Sequence, residues 1–170
     1  MKEIKSDCIR LYWSYDEIVD ECVNLAALYL KNRDDEEFDK LLLTKYDELF
    51  FETQIEKALF DTYNFLCLFN VAIDDSALFR DDDDMVVIDI IKRVDSDGNM
   101  LCDSSVVDDI ERVCYNLIVD NTLVVWGENG QLKEVVTRLK ERCGEAKEEV
   151  RTKLFMLKNA PYTKSYTVIE

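Results

Sequence analysis

The run MVVIDIIKRV, residues 85–94, decides how much β-structure this chain contains. Its β-branched richness favours a strand, and Asp95-Ser96-Asp97-Gly98-Asn99 would turn that strand into Met100-Leu101-Cys102 as a hairpin. The same run also reads as a buried helix; the hairpin is the favoured reading. Everything around it is helical in character, because four glycines and one proline in 170 residues leave few positions to punctuate the chain. The expected fold is mostly α: a single-domain helical bundle over residues 1–170, with a small β-hairpin at about 85–103 and a long C-terminal helix at about 131–159.

Working outward, Ser14-Tyr15-Asp16-Glu17 is a capping box that opens a helix running to about residue 30, with Ile18, Cys22, Leu25, Ala26 and Tyr29 on one face. Residues 33–37 form a charged break. A second helix carries Phe38, Leu41, Leu42, Tyr46 and Leu49 at spacings of three and four. Thr53-Gln54-Ile55-Glu56 is a second capping box. The segment behind it, to about residue 69, is apolar nearly all round, which predicts the middle of the bundle. After Ser104-Ser105 an amphipathic helix runs to about residue 120, and Thr122 to Trp126 is either its end or an extended piece. In the last helix Leu132, Val136, Leu139, Cys143, Ala146 and Val150 alternate by four and three, a heptad-like seam one row wide. That seam packs either on the chain's own bundle or on a second copy, which makes Leu132, Val136, Leu139, Cys143 and Val150 the candidate self-association residues of a homodimer.

Composition excludes several function classes. With 37 acidic and 21 basic side chains the net charge is −16, yet 48% apolar residues rule out wholesale disorder. The absence of histidine removes imidazole bases, triads and metal ligands. Gly98, Gly127, Gly130 and Gly144 do not have the spacing of a phosphate-binding loop. No serine or cysteine has a persuasive base beside it, so nucleophilic catalysis is not expected. The charge is also uneven: residues 1–120 carry 30 acidic and 12 basic groups, net −18, whereas residues 121–170 carry 7 and 9, net +2. Such a body repels nucleic-acid backbone and attracts basic proteins or divalent cations. The six cysteines lack C-x-x-C spacing and read as free thiols, three of them (Cys22, Cys67, Cys114) within apolar helical patterns. The first residues are mixed in charge and resemble no targeting or membrane-spanning segment, so the chain reads as cytoplasmic.

Three local resemblances bear on chemistry. Asp95, Asp97, Asn99 and Asp103 occupy spacings similar to positions 1, 3, 5 and 9 of an EF-hand calcium loop, but Met100 stands at the glycine position and Val106 at the bidentate glutamate position. A hairpin turn explains the same residues. Asp16, Glu17, Asp20 and Glu21, with Glu36, Glu37 and Asp39, resemble the paired carboxylates by which all-helical nucleotide pyrophosphohydrolases hold magnesium, although the spacings differ. Trp126-Gly127 resembles the pair that opens the central helix of Bcl-2-like proteins. In that family an apolar helix follows; here the next helix is highly charged.

The leading functional expectation is a non-enzymatic interaction protein without a cofactor. Its acidic runs, Asp34, Asp35, Glu36, Glu37 and Asp39 with Asp81, Asp82, Asp83 and Asp84, would engage a basic surface on a protein partner, as inhibitors, immunity proteins and nucleic-acid mimics do. The alternatives are a Bcl-2-like interaction protein, self-assembly through the last helix, and a metal-dependent helical hydrolase.

Overall fold

The computed structural model describes residues 1–4, 8–30, 48–68, 85–91, 104–130 and 132–159. In chain order these are β1 (Lys2–Ile4), β2 (Cys8–Ser14), α1 (Tyr15–Tyr29), α2 (Glu48–Cys67), β3 (Met85–Ile91), α3 (Ser104–Glu128), a single 3-10 turn (Lys133–Val135) and α4 (Val136–Asn159). The fold is mostly α with a small antiparallel sheet and a long C-terminal helix, as expected.

Residues 85–91 are indeed a strand, and its partner among the described residues is β2. The turn and return arm expected at 95–103 lie outside the described residues. Sheet order is β1-β2-β3. Alternation sets the register: Ile9 faces Ile90, Leu11 faces Ile88 and Trp13 faces Val86, and all six side chains are buried against the helices. A slip of one residue would turn every one of them to the outer face. On that outer face Arg10 meets Asp89 in a two-pronged ion pair, with Nε–Oδ1 and Nη2–Oδ2 both 2.8 Å.

β2 passes directly into α1. Ser14 has extended backbone and its Oγ accepts the Glu17 N–H at 3.4 Å, so the serine half of the first capping box forms as an N-cap. The second does not act as a cap. α2 is already helical at Glu48, so Thr53 lies inside it; Gln54 is buried and instead accepts a hydrogen bond from the Asn129 side chain at the end of α3.

The helix in the middle is α3, and this corrects the assignment of that place to residues 53–69. Phe60 of α2 is 63% exposed and Leu68, just after it, 73%, whereas every residue of α3 from Leu117 to Leu123 is buried. α1, α2 and α4 all pack on α3. α3 continues through Thr122–Trp126 to Glu128, and Gly130, at φ 92°, supplies the left-handed residue from which the chain reverses. α4 then runs back antiparallel, bringing Gly127 so close to Val136 that an added Cβ would stand 2.9 Å from its Cγ2.

The seam of α4 faces this α3 surface. Leu132, Leu139, Cys143, Ala146, Val150, Leu154 and Leu157 are buried and Val136 is half-buried, all within one chain. Ion pairs border the interface along its length: Lys140–Glu128 at 3.4 Å, Arg142–Asp120 at 2.9 Å, Arg112–Glu149 at 3.5 Å and Lys153–Asp109 at 2.9 Å. The row proposed for self-association is therefore covered by the chain's own α3. Leu139→Asp should destabilise the monomer by about 4 kcal/mol in urea unfolding, since it buries an unpaired charge. Thr137→Asp, on the exposed side, should unfold like the parent. Loss of a dimer without loss of monomer stability would contradict this packing.

Candidate functional site

Nine acidic residues expected to bind a partner (Asp34, Asp35, Glu36, Glu37, Asp39, Asp81, Asp82, Asp83, Asp84) and the calcium-loop-like Asp95, Asp97, Asn99 and Asp103 lie outside the described residues. Of the magnesium-type carboxylates, Asp16, Glu17, Asp20 and Glu21 are described on α1; their expected counterparts Glu36, Glu37 and Asp39 are not. Among the described residues no three histidine, cysteine or carboxylate side chains converge as a metal site would require. Trp126-Gly127 sits in the last turn of the central helix instead of opening one, with Trp126 fully buried.

Two clefts lined by described residues were not revealed by periodicity alone. The larger, about 520 Å³, is a groove between α2 and α4 with α3 as its floor. Asp61, Phe65 and Leu68 line one wall, Lys140, Gly144 and Lys147 the other, and Asn121 and Cys143 the base. Lys147 Nζ lies 5.7 Å from the Phe65 ring centroid, so the cation spans the groove and covers an aromatic face. At the base a chain of hydrogen bonds joins three helices. Cys143 Sγ donates to Asn121 Oδ1 at 3.0 Å, Asn121 Nδ2 donates to Thr62 Oγ1 at 2.9 Å, and Thr62 donates to the Ala58 carbonyl at 2.8 Å. Burial pushes the Cys143 thiol up to about 11, and that of Cys114 to about 12. Both stay protonated near neutrality and are weak nucleophiles. The five described cysteines are free thiols, in agreement with the sequence reading.

Next to Asn121, Asp120 is buried and directed at α4. Arg142 Nε lies 2.9 Å from its Oδ1, yet the contact is not aligned as a hydrogen bond and that oxygen has no hydrogen-bond partner. Burial outweighs the attraction of Arg142 and holds the carboxyl up at about 6, with Glu145 and Glu149 adding repulsion. Thr122 completes the group by donating to the Ile118 carbonyl at 2.7 Å.

The smaller cleft, about 370 Å³, opens where the sheet meets α1 and α3. Met1, Trp13, Glu17, Asp108, Glu111, Arg112 and Tyr115 line it. Trp13 and Tyr115 stack obliquely with ring centroids 5.8 Å apart. Lys2 reaches Asp108 at 2.6 Å and Glu111 at 3.4 Å, and the Met1 amine lies 3.4 Å from Glu111. Arg112 is drawn to Asp109 and Glu149, at 3.8 and 3.5 Å. Glu17 has no cationic partner among the described residues.

No protein-family model, curated protein or solved structure matches this chain. Among the described residues no helix is long and apolar enough to cross a membrane.

Two measurements check the buried polar chemistry. Asp120 is charged at pH 7 at a cost to the folded state. Its folded value of about 6 lies above the ordinary aspartate value of 3.8, so the native protein takes up this proton first and stability rises as pH falls from about 7 towards 4. The gain attributable to Asp120 is of order 2 kcal/mol, and Asp120→Asn should flatten the stability profile across that window in urea titrations. Parallel profiles for the two proteins would refute the assignment. Thr62→Val removes the acceptor of Asn121 Nδ2 and should cost about 1–3 kcal/mol by the same assay.

Proposed function

We propose that this protein is a non-enzymatic interaction protein whose acidic body binds a basic surface on a protein partner, in the manner of inhibitors, immunity proteins and nucleic-acid mimics. One observation carries the reading: the charge is polarised, net −18 over residues 1–120 against +2 over residues 121–170. An excess of negative charge on a surface creates a field that speeds encounter with an oppositely charged partner, and residues 1–120 supply that excess. The surface of α1 is part of that field. Asp16, Glu17 and Asp20 are exposed, and Asp16, Glu17 and Glu21 lack cationic partners among the described residues. The runs Asp34–Asp39 and Asp81–Asp84 belong to the same acidic portion of the chain.

Two further features favour binding over catalysis. The buried thiols of Cys114 and Cys143 are held protonated, and the chain has no histidine to activate a nucleophile. Direct binding of nucleic acid by the acidic portion is opposed by repulsion from the phosphates. In this reading the partner is a protein, the cell compartment is the cytoplasm, and no cofactor takes part.

The test is affinity capture at low salt, followed by kinetics with the protein recovered. The association rate should fall about tenfold or more between about 0.05 M and about 0.5 M salt, while dissociation changes far less. Size-exclusion mass on the same sample distinguishes a hetero-complex from a self-assembled one. Recovery of no basic protein at low salt, or an association rate indifferent to salt, rejects the proposal.

A further inference from the structure

The cleft beside Trp13 and Tyr115 combines features that recognise one kind of chemical group. Its walls include two aromatic side chains, and aromatic faces attract cations through their negative π-surface. Carboxylates approach from separate elements: Glu17 from α1, Asp108 and Glu111 from α3. The cations already nearby are committed elsewhere or to only part of the set. Lys2 and the Met1 amine lie against Asp108 and Glu111, and Arg112 pairs with Asp109 and Glu149. Glu17 is the carboxylate on the rim without a cation among the described residues.

The local field also converges on the Tyr115 ring. Burial, followed by the negative charges of Glu21, Glu17 and Asp20, holds the phenol well above its ordinary range, so the ring remains neutral at any physiological pH. At about 370 Å³ the cleft falls near the lower end of small-ligand pockets, roughly 300–1,000 Å³, suited to one side chain and not to a helix or a strand.

We infer that this cleft is an anchor site for a single cationic side chain, arginine or lysine, projecting from the basic surface of the partner. The cation seats against Tyr115, and Glu17 supplies its counter-charge. This rests on the acidic-interaction reading above and deepens it by placing the anchor at the junction of sheet, α1 and α3. A desolvated charge in an aromatic niche gives orientation that diffuse surface charge does not.

The test uses Nα-acetyl-arginine amide and Nα-acetyl-lysine amide as probes, with the neutral citrulline amide as a shape-matched control. Titration into the full chain, followed by ¹H–¹⁵N NMR, should give saturable shifts of the Trp13 indole N–H and of the Glu17, Asp108 and Tyr115 amides. The two cationic arms decide whether guanidinium or ammonium is preferred. Glu17→Gln should weaken binding about threefold or more, as should Tyr115→Leu, without moving shifts elsewhere. Glu17 is exposed and contributes only its backbone N–H to the Ser14 cap, so the Gln variant retains the fold. Equal shifts with citrulline amide, no shifts with either cation, or no weakening in Glu17→Gln overturns the anchor site. Salt-dependent capture of a basic protein by the same Glu17→Gln chain at parental affinity would leave the broader function standing and reject the cleft alone. Cationic probes that bind the cleft without any basic protein being captured would do the reverse.

Discussion

Three consecutive polar residues, Asp120, Asn121 and Thr122, lie buried in the middle of the central helix, and the packing of α2 and α4 depends on what the first two meet there. Asp120 faces Arg142 on α4, Asn121 joins Thr62 on α2 to Cys143 on α4, and Thr122 turns back to its own helix. A buried amide or carboxylate without partners costs several times what a made hydrogen bond contributes. The α2–α3–α4 arrangement that brings Thr62 and Cys143 to Asn121 is thus selected against arrangements of equal apolar burial that leave the amide bare. The network orients the bundle; the apolar side chains around it supply most of the stability.

The sheet contributes a second constraint. β2 and β3 are separated by some seventy residues of chain, so their pairing closes a long loop and must be compensated by many contacts at once. Three facing apolar pairs cover the core side, and the Arg10–Asp89 ion pair marks the register on the other. Lys2 and Trp13 then tie the sheet to α3, through Asp108 and Glu111 and through Tyr115. The same ties line the aromatic cleft, so the proposed anchor site is a by-product of docking the sheet on the bundle.

Much of the fold could be read from local pattern. The Ser14 N-cap, the strand at 85–91 and the row Leu132, Leu139, Cys143, Val150 all occupy the structural roles that their spacing implied, because period two and period three-and-a-half place side chains on definite faces. The choice of central helix was not legible. Residues 53–69 are apolar nearly all round, but Phe60 and Leu68 remain exposed, while Asp120, Asn121 and Thr122 look like a polar helix end and lie inside. The partners of Asp120 and Asn121 lie 22 and 59 positions away, and no window of local sequence contains both halves of such a pair. β2 was missed for a related reason: Arg10 and Tyr12 interrupt an apolar run whose alternation becomes meaningful only once β3 lies beside it. The candidate acidic runs carry a charge signal without a geometry, whereas the aromatic cleft is drawn from residues 13, 17, 108 and 115 and exists only in three dimensions.

The sequence by itself determined the helical character of the chain, the apolar row of the last helix and the polarity of charge, and it favoured a strand at 85–91 without excluding a helix. Each follows from composition or from a repeat shorter than two helical turns, and steric and solvation preferences act locally on both. Tertiary structure decided which helix lies at the centre, what the strand pairs with, whether the last helix faces its own chain, and where aromatic rings and carboxylates meet. Those outcomes depend on distant groups satisfying one another's hydrogen bonds and covering one another's apolar surface, which is a property of the packed whole and of no segment within it.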